Sequence, residues 1–287
     1  MVHRVLAQAV QAPSVHNSQP WIWNLDGDAL QLRVDPRKYL RHTDPDGRDL
    51  LISCGASLHH CTVALASLGW RSTVRRLPDP SDPALLAGVT VQRQRPDDLD
   101  MLLAEAIGRR RTDRRPYSPL PVPWGDIALM GARAARAGVM LRQIDEIPRL
   151  SAIVADAVAR RAADPNYLNE LNQWAGRRGP ITGDLAGGQD NGVVVALGTQ
   201  SDDCLSRLRA GEAASLVLLS ATAMGLASCP ITEPLEIVET REEVRADVFG
   251  SDAYPQMLIR LGWPPVDAEP LPATPRQAPG KDLFTLG

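Results

Sequence analysis

Two apolar segments bounded by glycines recur at a fixed distance in this chain, and they constrain its fold more than any other feature. The first extends from Gly55 to Gly69 and the second from Gly211 to Gly225, each glycine 156 residues after its counterpart. The apolar residues of both segments follow a helical period, and glycine commonly ends a helix. A duplication would explain the fixed distance. Glycine-bounded helices rich in Ala and Leu also align by chance, so the residues alone leave both explanations open.

The remaining segments alternate between helical and strand-like patterns. Two alternating runs on either side of Asp26, Gly27 and Asp28 predict a β-hairpin. Mixed order of this kind is typical of an α+β fold in which helices cover a largely antiparallel sheet. We expect helices at residues 3–12, 55–69, 99–110, 126–137, 147–163, 166–177 and 204–226. We expect strands at residues 21–25, 30–34, 73–77, 88–92, 139–144, 193–197 and 256–261.

Composition and charge argue against several classes of protein. The 287 residues carry a formal net charge of −3 at pH 7, so the chain has no general attraction for nucleic acid or anionic lipid. Its longest apolar stretch, at residues 216–227, is too short to span a bilayer, and the N-terminus lacks the apolar core of a signal peptide. The four cysteines include no CxxC pair. We therefore expect a reduced, cytoplasmic protein with no membrane and no nucleic-acid partner.

The common motifs of catalysis and metal binding are missing from the sequence. It contains no GxxxxGK[ST], GxGxxG, GxSxG or HExxH pattern. The five histidines show no metal-ligand spacing with acids or cysteines, so we expect no metal site.

A rigid polar loop occupies residues 13–21, which read PSVHNSQPW. Prolines stiffen both ends, and between them a hydroxyl, an imidazole and two amides offer hydrogen-bond donors and acceptors. Such a loop can bind a planar heterocycle at little entropic cost. The alternative is a helix-to-strand turn in which Ser14 and Asn17 only satisfy backbone groups.

A second polar segment is the arginine-rich run RRRTDRR at residues 109–115. Guanidinium groups beside a hydroxyl suit a phosphate dianion, because each fork donates several charge-assisted hydrogen bonds. A solvated basic run is the alternative.

Together the two segments resemble the FMN-binding motifs of the nitroreductase superfamily, an RRSxR phosphate motif and a PSxxNxQPW flavin loop. Residues 110–114 (RRTDR) are similar to the first, with Thr112 for serine, and residues 13–21 match the second. Residues 225–233 (GLASCPITE) are similar to the segment that passes the flavin ring, and residues 274–276 (TPR) to a C-terminal arginine that returns to the phosphate. The resemblance extends over nearly the whole chain.

This resemblance implies an FMN cofactor and a role for each matched segment. Arg110, Arg111 and Arg114 of the phosphate motif, together with Arg276 near the C-terminus, would neutralise the phosphate. Thr112 would bind phosphate or ribityl oxygens. Ser14, His16 and Asn17 would address the isoalloxazine and ribityl, while the third segment would run along the ring near its reactive nitrogen. The implied cofactor-binding residues are Pro13, Ser14, Val15, His16, Asn17, Gln19, Arg110, Arg111, Thr112, Arg114, Pro230, Ile231, Thr232, Glu233, Pro275 and Arg276. No catalytic acid or base is implied, since the cofactor carries the chemistry.

The order of the motifs implies a fused architecture. Ordinary nitroreductases place the phosphate motif before the flavin loop in a short chain, and two subunits share each site. Here the flavin loop lies in a first half, residues 1–107, and the phosphate motif opens a second half, residues 108–287. The chain resembles a pseudo-dimer with one composite site, as in the Acg subfamily, which is associated with dormancy in actinobacteria. We expect one FMN per chain and a monomer that can bind it.

The resemblance leaves two functions open. One is a nitroreductase that transfers hydride from NAD(P)H through FMN to a nitroaromatic or quinone-type acceptor. The other is a protein that sequesters, stores or senses FMN with little turnover, which the loss of one site and the subfamily's lid over the flavin would favour. Only residues 175–192 stand where the subfamily carries that longer lid segment, so the sequence predicts that the lid is missing.

Overall fold

The computed structural model describes residues 1–175 and 192–277. Residues 176–191 lie outside this part, and with them nearly all of the segment that the lid prediction concerns. The described residues form two four-stranded antiparallel sheets. The first sheet contains β1 (Trp21–Asp26), β2 (Ala29–Val34), β3 (Trp70–Arg76) and β4 (Leu85–Arg93), in the order β1-β2-β4-β3. The second contains β5 (Met140–Ile144), β6 (Val193–Thr199), β7 (Ala227–Ile231) and β8 (Tyr254–Gly262), in the order β5-β6-β8-β7.

Eight α-helices surround and separate these sheets in the described ranges. They are α1 (Val2–Ala9), α2 (Arg48–Ser67), α3 (Asp98–Arg109), α4 (Trp124–Arg136), α5 (Ile147–Ala162), α6 (Pro165–Ala175), α7 (Cys204–Ala223) and α8 (Val238–Val244). Every predicted helix and strand has a counterpart. The predictions missed β7 and α8, since one is a five-residue strand containing a proline and the other has only seven residues.

The start of α2 differs most from its prediction. The helix begins at Arg48, seven residues before Gly55, because the Asp44 carboxylate accepts the backbone N–H groups of Asp49 (3.0 Å) and Leu50 (2.7 Å). This extension places Gly55 inside the helix, where it faces α7.

The two central helices, α2 and α7, cross where the glycines of the repeat meet. A Cβ atom on Gly55 would lie 2.1 Å from the Leu208 carbonyl oxygen, and one on Gly211 would lie 2.0 Å from the Ile52 carbonyl oxygen. One turn further on, Nδ1 of His59 lies 2.8 Å from Oγ of Ser215, again 156 residues away. Residues with the same offset touch each other, so a pseudo-twofold axis passes through this crossing. The two sheets share one strand order, which supports duplication over chance alignment.

The central helices contribute residues to the hydrophobic cores of both halves. Leu208 of α7 packs with the core over the first sheet, and Ile52 of α2 packs with the core over the second. Helix α3 covers the crossing, where its buried residues meet Val63 of α2 and Leu219 of α7. The predicted boundary at residues 107/108 falls inside α3, and the exact division of the chain stays a prediction.

By length and composition α2 could cross a membrane. This property was missed from the sequence, because only the longest apolar stretch, at residues 216–227, was considered. The helix has 20 residues, and two thirds of its most apolar window is buried inside the protein. That burial follows from its place between the two sheets, where α7 covers it.

Candidate functional site

The loop between α1 and β1 holds three non-glycine residues in the left-handed region of backbone conformation. The φ angles of His16, Asn17 and Gln19 are 49°, 55° and 51°. Side chains disfavour this region, so the surrounding contacts must compensate for the strain. The backbone N–H of Gln19 donates to the Ser14 hydroxyl (3.0 Å), and the N–H of Val15 donates to the Ser53 hydroxyl on α2 (3.4 Å). Ser14 therefore performs the turn role that the sequence left open.

The C-terminal segment closes onto this loop from more than 250 residues away. The Asn17 side-chain amide donates to the Pro275 carbonyl (3.0 Å) and accepts from Arg276 (2.6 Å). The Gln19 amide oxygen accepts from the backbone N–H of Gln277 (2.9 Å). Both amides were expected to address a cofactor. In the structure they hold the segment that carries Arg276, and their contact with a cofactor stays a prediction.

Arg110 carries a buried positive charge. It follows the last residue of α3, its side chain is 4% exposed, and its Nε and Nη1 have no hydrogen-bond partner among the described residues. Burial and the nearby charges of Arg276 and Arg111 lower its pKa to about 9. A buried cation with cationic neighbours is unfavourable unless an anion joins it, so this cluster is suited to a multivalent anion.

Arg111 lies at the same helix end and contributes to that positive charge. One of its guanidinium nitrogens donates to the carbonyls of Gly108 and Arg110, while its Nε is buried without a partner in the described ranges. Arg115 differs from both, because it forms a bidentate ion pair with Asp113. The sequence could not show which of these arginines have donors free for a ligand and which one is paired with Asp113, because all belong to one short run.

The phosphate motif continues as an extended segment along the outer edge of β7. Thr112 forms a parallel bridge with Ser228, and the backbone N–H of Asp113 donates to the Ser228 carbonyl (2.9 Å). The Ser228 hydroxyl is buried and has no hydrogen-bond partner in the described part of the chain. This pairing brings the phosphate motif (residues 110–114) against the segment at residues 225–233. It also places the Ser228 hydroxyl, which the resemblance did not imply as a cofactor ligand, beside the phosphate motif.

The charge of Arg114 acts on both the flavin loop and the turn that follows β7. It lowers the pKa of His16 and opposes the rise that burial causes in the pKa of Glu233. Burial is the main reason that the pKa of His16 falls to about 4, so this imidazole is neutral at pH 7. Its Nε2 is buried without a partner among the described residues.

The four predicted segments therefore meet at one place, although they are distant in sequence. Hydrogen bonds join Asn17 and Gln19 to residues 275–277, a β-bridge joins Thr112 to Ser228, and the charge of Arg114 affects both His16 and Glu233. The segments brought together in this way contain the predicted residues Pro13, Ser14, Val15, His16, Asn17, Gln19, Arg110, Arg111, Thr112, Arg114, Pro230, Ile231, Thr232, Glu233, Pro275 and Arg276. Their direct contacts with a cofactor stay a prediction.

Sequence reasoning missed several polar residues around this place. His60 of α2 is buried close to Arg110 and Arg276, whose charges help to lower its pKa. The Tyr167 ring of α6 lies edge-on to the His16 imidazole at 6.5 Å, and Glu170 accepts the backbone N–H groups of His42 and Thr43. No sequence pattern could identify them, since each depends on helices and loops that become neighbours only on folding.

Comparison with known proteins identifies the family. No protein-family model matches the chain. A Mycobacterium tuberculosis (strain H37Rv) protein that its name assigns to the NAD(P)H nitroreductases is 54% identical over 305 residues, covering 96% of this chain and 89% of the relative. The acg protein of the same strain, also assigned to them by name, is 35% identical over 307 residues, covering 94% and 91%.

A solved structure shows the same fold at much lower identity. A nitroreductase-named protein from Anabaena variabilis ATCC 29413 covers 92% of this chain and 88% of its own, with a TM-score of 0.57 and 11% identity. The α+β fold with two similar halves is thereby confirmed. At 54% and 35% identity along almost its whole length, the chain belongs to the nitroreductase superfamily.

Proposed function

We propose that the protein binds FMN and is an oxidoreductase that transfers hydride from NAD(P)H through FMN to a nitroaromatic or quinone-type acceptor. The observation that carries the proposal is the buried guanidinium of Arg110, which faces Arg111 and Arg276 beside a strained loop. Family membership supports the type of reaction, because the relatives at 54% and 35% identity bear NAD(P)H nitroreductase names.

The phosphate group of FMN fits the arginine cluster. Nε and Nη1 of Arg110 and Nε of Arg111 are buried donors without partners in the described residues, and a phosphate dianion supplies acceptors and charge for all three. Thr112 and Arg114 continue from this cluster toward Ser228 and His16. They would extend the set of donors along the cofactor.

The remaining segments suit the ring and its side chain. His16 is neutral at pH 7, so it offers one donor and one acceptor without adding charge. Residues 230 and 231 end β7, and residues 232 and 233 begin the helical turn after it, so this segment could lie along one face of a planar ring. FMN, when bound, supplies the hydride chemistry, while the protein binds it, orients it and sets the charge around it.

We expect one FMN per chain, because the composite set of segments occurs once in the sequence. The full-length protein should be saturated with FMN, freed of excess by gel filtration and denatured, and the released flavin measured by absorbance against protein concentration. A ratio close to one is expected. A ratio close to two, or no retained flavin, would contradict the single-site proposal.

Turnover separates the two candidate functions. We expect FMN-loaded protein to oxidise NADH or NADPH, and a nitroaromatic or quinone to accelerate this oxidation, as measured by the decrease in nicotinamide absorbance. Free FMN at the same concentration is the control. Oxidation no faster than with free FMN at full flavin occupancy would contradict the enzyme and favour sequestration or storage of FMN.

A further inference from the structure

A buried carboxyl group lies behind the segment that follows β7. Glu236 is 8% exposed, and its Oε1 accepts a hydrogen bond from the hydroxyl of Thr232 (2.8 Å). Nε of Arg161 lies 3.5 Å from the other carboxyl oxygen, Oε2. Arg161 also donates to the carbonyls of His42, Thr43 and Glu236, so backbone groups share its charge. Thr232 is partly exposed and belongs to the segment that the resemblance places along the flavin ring.

The titratable groups that face Glu236 come from four parts of the fold. Asp49 approaches from α2, Arg161 from α5 and Tyr167 from α6, while Glu233 belongs to the same turn. Burial, Asp49 and Glu233 raise the pKa of Glu236 to about 8, against the opposing effects of Arg161 and the Thr232 hydrogen bond. At neutral pH this carboxyl therefore carries its proton for most of the time.

The protonation state of Glu236 determines what Thr232 can offer on its other side. A threonine hydroxyl has one hydrogen and two lone pairs. When Glu236 is ionised, Thr232 must donate this hydrogen to the carboxylate and can only accept elsewhere. When Glu236 is protonated, the carboxyl donates to Thr232, whose own hydrogen becomes available to another acceptor.

We propose that Glu236 and Thr232 form a switchable hydrogen-bonding pair, which donates to the acceptor-rich edge of an oxidised isoalloxazine when Glu236 is protonated and loses that donor when it ionises. The inference rests on the proposed function, since it assigns the pair to the flavin ring. Thr232 is the binding residue and Glu236 is the positioning residue behind it. Binding of the oxidised ring should therefore keep the proton on Glu236.

The test measures the Kd of oxidised riboflavin and of FMN at pH 7 and pH 9 for the full-length protein, by quenching of flavin fluorescence. Riboflavin lacks the phosphate, so its affinity does not report on titration near Arg110. With a free pKa of about 8 and a protonated complex, the riboflavin Kd of the wild type should be about tenfold higher at pH 9 than at pH 7.

Three variants identify the pair as the cause. Glu236→Gln keeps the shape of the protonated carboxyl and should abolish the pH dependence. Thr232→Val removes the hydroxyl, so its riboflavin Kd at pH 7 should be at least as high as the wild-type value at pH 9 and change little with pH. Thr232→Ser retains the hydroxyl and should restore the wild-type pH dependence.

Each result supports or overturns a distinct statement. A wild-type Kd that does not change with pH, or an equal change in Glu236→Gln, would overturn the switch while FMN binding still supported the proposed function. A full tenfold change in Thr232→Val would show that the charge acts directly, which would also overturn the pair. If wild-type protein bound neither flavin at pH 7, the proposed function would fail, and the switch with it.

Discussion

Arg110→Met is expected to weaken FMN binding by a factor of about 10²–10⁴ while leaving riboflavin binding nearly unchanged. The substitution removes two buried donor nitrogens that have no partner within the described residues, and a hydrogen bond to a charged group contributes about 1.5–3 kcal/mol. Two such bonds correspond to the stated factor. The measurement is the Kd of each flavin, obtained by fluorescence quenching at pH 7.

The same substitution should stabilise the FMN-free protein. Burial and two neighbouring arginines disfavour the charge on Arg110 in the folded state, as its lowered pKa shows, so an apolar side chain should raise the free energy of unfolding. Arg109→Met is the matched control, because Arg109 is exposed at the end of the same helix. We expect it to leave both affinities unchanged. An equal loss of FMN and riboflavin binding in Arg110→Met would instead indicate damage to the fold.

Gly211→Ala is expected to destabilise the FMN-free protein by about 3 kcal/mol or more. The new Cβ would lie 2.0 Å from the Ile52 carbonyl oxygen and 2.9 Å from the Cα of Gly55. Backbone atoms cannot rotate away as a side chain can, so the two central helices must separate and lose packing along the crossing. The free energy of unfolding in urea measures this loss.

Gly131→Ala provides a control with the opposite sign. Gly131 lies inside α4, and a Cβ there would meet only the Leu141 side chain, at 3.9 Å. We expect stabilisation of up to about 1 kcal/mol, because alanine favours a helix over glycine. A Gly211→Ala loss below about 1 kcal/mol, at the lower end of overpacking costs, would show that the crossing tolerates a wider separation. Such a small loss would also argue against the close contact between Gly55 and Gly211 as a major source of stability.

Local sequence patterns determined most of the secondary structure and the candidate segments. The strands of the hairpin around Gly27 and the two central helices follow directly from apolar period and turn chemistry. These signals involve neighbours within a few residues, where spacing alone decides which side chains share a face. They failed where a distant or brief contact decided the outcome, as at the start of α2, which the Asp44 carboxylate fixes.

Tertiary structure alone decided how the segments are used. Asn17 and Gln19 hold the chain near Arg276, about 258 residues away. Arg110 is buried without a partner for its Nε and Nη1 among the described residues, whereas Arg115 is partly exposed and paired with Asp113. The hydrogen bond between Thr232 and Glu236 spans four residues, yet its chemistry depends on burial beneath α5 and α6. The spacing of apolar residues in the sequence indicates which side chains are buried. The charge, strain and pKa of a buried group depend on the partners that the fold brings to it.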